Sequence, residues 1–179
     1  PMKYTTPRST CPINFTLEMI GDAWSLLILR DIAYFGRKTY NEFLASGEGI
    51  ARNILADRLV QLQAKGLLVK KPHPQDKRKE VYELTEDALE LIPLLLDLAE
   101  WGAKRVPQED LPHEWLRAVR EQRSAIIPRI KETVRRGGSI FGKPDEDNLF
   151  AQIKNEPKRI TVLKMQNLKA KNMPPKKSL

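Results

Sequence analysis

Apolar residues recur at three- and four-residue spacing along most of the chain, and the rhythm breaks on glycine, proline or an acid-led turn. After an irregular polar stretch over 1–12, Ile13, Leu17 and Ile20 share one side of a short helix predicted over 13–20. Asp22 can cap the next helix, 23–35, which ends at Gly36. Its residues Trp24, Leu26, Leu27, Ile28, Leu29, Ile32 and Phe35 leave few polar sides, so it belongs in a core. Thr39 and Glu42 have capping-box spacing for a third short helix ending near residue 46, and Gly47-Glu48-Gly49 then makes the turn of a helix-turn-helix.

The rhythm is clearest over 52–65, a helix stopped by Gly66. At about 100° per residue, Ile54, Leu55, Leu59 and Leu62 form one stripe; Asn53, Ala56, Asp57 and Val60 point the opposite way, with Arg52 on the flank. Arg58 falls on the apolar side and is expected to make an internal ion pair or a phosphate contact. Strands are predicted at 67–69 and 81–84, around a basic turn over 73–79. A helix followed directly by a basic hairpin is the pattern of a recognition helix with a wing. Thr39, Arg52, Asn53, Ala56, Asp57, Lys77, Arg78 and Lys79 are therefore the candidate contacts to double-stranded DNA. The three wing cations could also be a solvated turn, but their place after the recognition helix favours phosphate.

Thr85, with Glu86 and Asp87 in the first turn, starts a helix predicted to run to 105 and to bend at Pro93. It carries Leu89, Leu91, Ile92, Leu94, Leu95, Leu96, Leu98 and Trp101, more apolar circumference than one small core needs. Either it is fully buried in a monomer or it is shared with a dimer interface. Two-fold-related half-sites favour a homodimer, with Ile13, Leu17, Leu91, Leu94, Leu95, Leu98 and Trp101 as the interface. Past Pro107, residues 113–136 form a further amphipathic helix (Leu116, Val119, Ile126, Ile127, Ile130, Val134), with a second expected kink at Pro128 and Gly137-Gly138 as its stop. One more short helix is expected over 145–155. The fold class is mainly α (α+β). The chain divides into a winged helix-turn-helix DNA-binding and dimerisation domain over 1–106, a helical extension over 107–138, and a basic tail with a short helix over 139–179.

Charge sharpens this picture. The net charge of +8 favours a polyanionic partner, yet residues 1–106 carry 15 Lys+Arg against 14 Asp+Glu while 107–179 carry 16 against 9. Most of the excess thus lies outside the reading head, although 37–80 is locally +5. Residues 157–179 hold seven basic residues and no acid, which predicts a weakly structured tail with nonspecific DNA affinity. A single cysteine, Cys11, excludes an intrachain disulfide and fits a reducing compartment; with no signal pattern and no membrane-length apolar run, a cytoplasmic location is expected. His73 and His113 are the only histidines and lie far apart, so no metal or other cofactor is expected. No constellation for nucleophilic, acid-base or nucleotide chemistry stands out, which argues against an enzyme.

Together these residues resemble the HxlR family of prokaryotic winged-helix transcriptional regulators over about residues 10–106. The matching pieces are Cys11-Pro12-Ile13, the run from Ile20-Gly21-Asp22-Ala23-Trp24 to Leu29-Arg30-Asp31, Tyr40-Asn41-Glu42-Phe43, Glu48-Gly49-Ile50-Ala51-Arg52-Asn53-Ile54-Leu55, Asp57-Arg58-Leu59, Gly66-Leu67, Tyr82-Glu83-Leu84-Thr85 and Trp101-Gly102. The resemblance implies a homodimer on a palindromic operator, and in some members a cysteine near the N-terminus senses electrophiles or oxidants. Ala51 stands where many members place a capping serine, and Ala88 replaces a common glycine. Three readings follow: a sequence-specific regulator, a redox- or electrophile-responsive repressor acting through Cys11, or a winged-helix module that binds protein. The inducer, whether small molecule or oxidant, is not written in the sequence.

Overall fold

The computed structural model describes residues 9–109, 111–143 and 147–155; the basic tail over 157–179 lies outside the described residues. Helix α2 (Ala23–Phe35) is the centre, with Ile28, Leu29, Ile32 and Ala33 buried. The Asp22 carboxylate caps it, accepting from the Ser25 N–H at 3.0 Å. Before it, α1 (Pro12–Ile20) begins on Pro12, whose missing N–H leaves no bond unmade in a first turn. After it, α3 (Tyr40–Leu44) carries the expected capping box of Thr39 and Glu42.

Helix α4 (Arg52–Ala64) buries Leu55, Leu59 and Leu62, a three- and four-residue stripe that fixes its rotation against the core. At its end Gly66 takes φ 71°, and the N–H groups of Gly66 and Leu67 return to Gln63 O and Leu62 O at 2.9 Å each. Such a left-handed stop suits glycine and turns the chain into the hairpin. There β1 (Leu68–Pro72) pairs antiparallel with β2 (Glu80–Leu84), Leu68 facing Leu84 and Pro72 facing Glu80. Both strands reach further than the apolar pattern indicated, because their outer part is held by the ladder and by Lys70–Glu80 and Lys71–Glu83 ion pairs, each 2.6 Å. The Tyr82 N–H donates to Lys38 O at 2.7 Å and ties the hairpin to the loop after α2.

Two proline expectations are corrected. The single bent helix expected over 85–105 is two helices, α5 (Glu86–Leu89) and α6 (Ile92–Ala103). Pro93 sits in the first turn of α6, where an N–H would go unpaired anyway, so it opens a helix where a bend was expected. In α7 (His113–Arg135) the backbone leaves helical angles at Gln122 (φ −131°, ψ 29°), and not at Pro128. The Pro128 ring crowds the carbonyl four residues back, at Ser124, and the break lies just ahead of that point.

The extension is not set apart from the first 106 residues. Trp115, Val119, Ile126, Ile130, Ile140 and Leu149 belong to the same hydrophobic cluster as α2, α4 and α6. Ion pairs fasten α7 to its neighbours: Arg123–Asp97 at 2.6 Å, Lys131–Glu90 at 2.6 Å and Arg135–Glu86 at 2.8 Å. Beyond α7, the N–H groups of Ile140 and Phe141 donate to Ala33 O (3.0 Å) and Tyr34 O (2.6 Å), carbonyls of the last turn of α2. Helix α8 (Leu149–Asn155) follows, and Phe141 meets Trp115 and Phe150 edge-on at 5.6 and 5.4 Å.

Trp115 is 1% exposed, so Trp115→Ala should cost about 3–5 kcal/mol. Urea unfolding followed by circular dichroism should stay a single transition at a lower midpoint. A variant whose extension melts first while the rest keeps its midpoint would mean that 111–155 folds separately.

Candidate nucleic-acid interface

The outer face of α4 exposes Arg52, Asn53, Ala56, Asp57 and Val60 side by side, the residues left over once the buried stripe is subtracted. Its orientation is locked at several points. Arg58 lies on the inner flank and makes the internal ion pair: its Nε donates to Asp22 Oδ1 at 2.8 Å, and a second nitrogen reaches Asp57. Asp57 also accepts from Gln61 Nε2 at 2.8 Å. Asp57, expected as a DNA contact, therefore holds the helix surface in place and presents less free carboxylate to a groove. The Tyr40 hydroxyl donates to Arg52 O at 2.9 Å, and Arg30 donates to Glu48 Oε1 at 2.7 Å, pinning both ends of the turn between α3 and α4. Gly49, at φ 72°, lets that turn close. Ala51 is the N-cap of α4 and supplies no side-chain bond, as its substitution for a capping serine implied.

Thr39 is likewise engaged. Its hydroxyl accepts from the Glu42 N–H and its own N–H donates to Glu42 Oε2 at 2.8 Å, so its first duty is the α3 cap. Burial pushes the Glu42 carboxyl up, but the N–H groups of Lys38 and Thr39 outweigh it and hold the group below 4.5.

The hairpin tip carries Lys77, Arg78 and Lys79 in the open, all exposed. One acid offsets them: Asp76 accepts from Arg78 Nε at 3.1 Å and lies 3.7 Å from the Lys79 Nζ. Hydrogen bonding from Arg78 keeps the Asp76 carboxyl below its usual range. Exposed pairs of this kind are screened by water and salt and hold weakly, so a phosphate can compete with the carboxylate. Sequence reading missed Asp76 as a brake on the wing, and passed over Val60 as a contact although its place on the outer stripe was legible. Val60 is 64% exposed, an apolar group suited to a thymine methyl.

Away from this face, Ile13, Leu17, Leu98 and Trp101 are large exposed apolar residues at 71, 60, 46 and 62%. Leu91 and Leu94 are half-buried. Leu95, grouped with them from the sequence, is corrected: it is 7% exposed and packs inside the chain, because α6 turns 92, 95 and 96 inward. Cys11 is the N-cap residue of α1, with an exposed side chain that makes no cap bond. Among the described residues no group of three or more His, Cys, Asp or Glu could hold a metal, and no helix is long and apolar enough to cross a membrane.

Comparison with known proteins bears on this geometry. A model described as HxlR-like helix-turn-helix matches residues 19–110. The chain is 37% identical over 100 residues to the HTH-type transcriptional regulator Mb3122 of Mycobacterium bovis, a match covering 56% of this chain and 62% of that one. The chain thus spans less than two thirds of that relative. It is 34% identical over 93 residues to the HTH-type transcriptional regulator BH0655 of Halalkalibacterium halodurans, covering 52% of this chain and 82% of the relative. Among solved structures, the crystal structure of PA1607, a proposed transcription factor, superposes with a TM-score of 0.51 at 35% identity, over 59% of this chain and 72% of that one.

Burial raises the Asp22 carboxyl, but hydrogen bonds from Ser25 and Arg58 outweigh it and hold it below 3.8. A depressed folded value means that its stabilisation is fully present above the unfolded value of 3.8 and is lost as pH falls through the folded value. Asp22→Asn keeps a capping oxygen and loses the charge. Denaturation at a series of pH values should show it less stable by about 1 kcal/mol or less above about pH 5, the pair being one-third exposed, with the gap closing in acid. A gap independent of pH would remove the ion pair as its cause.

Proposed function

Because the chain belongs to the HxlR-like helix-turn-helix family, we propose that it is a sequence-specific DNA-binding transcriptional regulator acting as a homodimer on a palindromic operator. The observation that carries this is the outward face of α4, with Arg52, Asn53, Ala56 and Val60 exposed beside a hairpin whose tip holds three cations. In this reading α4 enters the major groove. Asn53 offers an amide to adenine, Ala56 and Val60 meet thymine methyls, and Arg52 reaches the groove edge or backbone. Lys77, Arg78 and Lys79 lie along the phosphates of the flanking groove, once these have displaced Asp76.

Ile13, Leu17, Leu91, Leu94, Leu98 and Trp101 make the face that a second copy covers, since an apolar patch of this kind is unfavourable in water. Such a protein works in the cytoplasm, where its DNA is. The tail over 157–179, with its seven cations, would add nonspecific affinity.

A mobility shift with the chain's own upstream DNA tests the whole. Asn53→Ala should relax preference at one base pair per half-site by about 1–3 kcal/mol, while Arg78→Ala weakens all sequences alike. Leu98→Glu should give monomers by light scattering and lose operator affinity. Unchanged affinity in all three, with a shallow salt dependence, would leave the protein-binding module as the answer.

The exposed thiol of Cys11 supports a second reading, in which an adduct or a bridge between subunits at the start of α1 releases DNA by disturbing Ile13 and Leu17. Cys11→Ser should bind DNA normally and resist release by diamide. Equal release from both proteins would return Cys11 to a structural role.

A further inference from the structure

We propose that the cleft between the last turn of α6 and the first two turns of α7 binds a small organic anion, a carboxylate or phosphate on an apolar body. The cleft measures about 370 Å³, within the range of small-molecule sites. It lies outside the outer face of α4 and the hairpin, and seven of its ten lining residues come from the extension.

Its charges do not cancel. Lys104, Arg117 and Arg120 line it, and none pairs with a carboxylate among the described residues. Two acids share the wall: Glu114 lies 3.5 Å from Lys154, and Glu100, whose buried Oε1 makes no hydrogen bond, lies 3.8 Å from Arg123. Among the described residues the wall carries three cations against two acids, a net positive charge. Arg117 and Arg120 stand three residues apart on α7, neighbours on one helix face, and guanidinium forks suit carboxylate and phosphate oxygens.

Its floor is apolar and its wall is held. Ala103, Leu111 and Leu116 supply hydrocarbon for the body of the ligand. Gln108 Nε2 donates to Ala103 O at 2.9 Å and Val106 O at 3.0 Å, and His113 Nε2 lies 2.7 Å from Gln108 O. These bonds hold Gln108 and Val106 against the end of α6 and the start of α7, so little ordering remains there for a ligand to impose. Next to Lys104, the Arg105 guanidinium stacks 3.7 Å over the Trp101 ring and donates to Trp101 O at 2.8 Å. The site is thereby adjacent to the exposed apolar face of α6.

Titration calorimetry on the full chain without DNA tests the site, with phenyl phosphate, inorganic phosphate and phenol as probes. Phenyl phosphate should bind saturably, one per chain, and more tightly than either fragment. The double variant R117Q/R120Q, with both side chains exposed, should keep the melting temperature of the free protein and lose about tenfold or more in affinity. Lys104→Gln tests the same point from α6, should the double variant prove unstable. Absence of saturable heat, equal affinity in the variants, or inorganic phosphate binding as tightly as phenyl phosphate would each overturn the proposal. Because DNA is absent, the outcome is independent of whether α4 reads an operator.

Discussion

The Asp22 carboxylate is the constraint on which the reading face depends. One side chain caps the central helix through the Ser25 N–H and receives the Arg58 guanidinium from α4. Arg58 in turn holds Asp57, and Asp57 holds Gln61, so a single acid before α2 reaches along about one turn of α4. The buried stripe of Leu55, Leu59 and Leu62 sets the same rotation by packing. Packing and charge thus agree on which residues face out, and that agreement gives a short surface helix one orientation where several would otherwise be close in energy.

The hairpin is a different kind of surface. Four of its cations are matched within the hairpin itself, Lys70 by Glu80, Lys71 by Glu83, and Arg78 and Lys79 by Asp76. Contact with phosphates there, as proposed, would be an exchange of one set of anions for another. In the proposed function such an exchange would lower the net gain per contact and leave shape and the rigid α4 face to decide which sequence is preferred.

Helices and caps were legible because they depend on residues close in sequence. The Thr39 and Glu42 box, the Asp22 cap and the Gly66 stop each involve three or four neighbours, and all appear as read. Asn53, Ala56 and Val60 were placed by counting angles, and Arg58 by finding a charge on an apolar stripe. What was not legible depends on distant partners. Pro93 bends or opens a helix according to where the preceding turn stops, which the packing of Leu89 and Ile92 decides. Leu95 and Leu98 look alike in a leucine-rich run, and only the packing of α6 in the folded chain turns one inward. Asp76 reads as one acid in a basic turn until the hairpin folds it between Arg78 and Lys79.

The hydrogen bonds from Ile140 and Phe141 to the last carbonyls of α2 have a consequence for synthesis. They join segments far apart along the chain, and the central helix keeps two carbonyls open until the later segment has left the ribosome. The reading head would meet the cell first as an unfinished intermediate, its aromatic cleft open to water where Trp115 and Phe141 will later close it. A nascent chain of this design gains its full rigidity only after Phe141 has emerged, so the packing behind the α4 face is completed by a segment synthesised well after α4 itself.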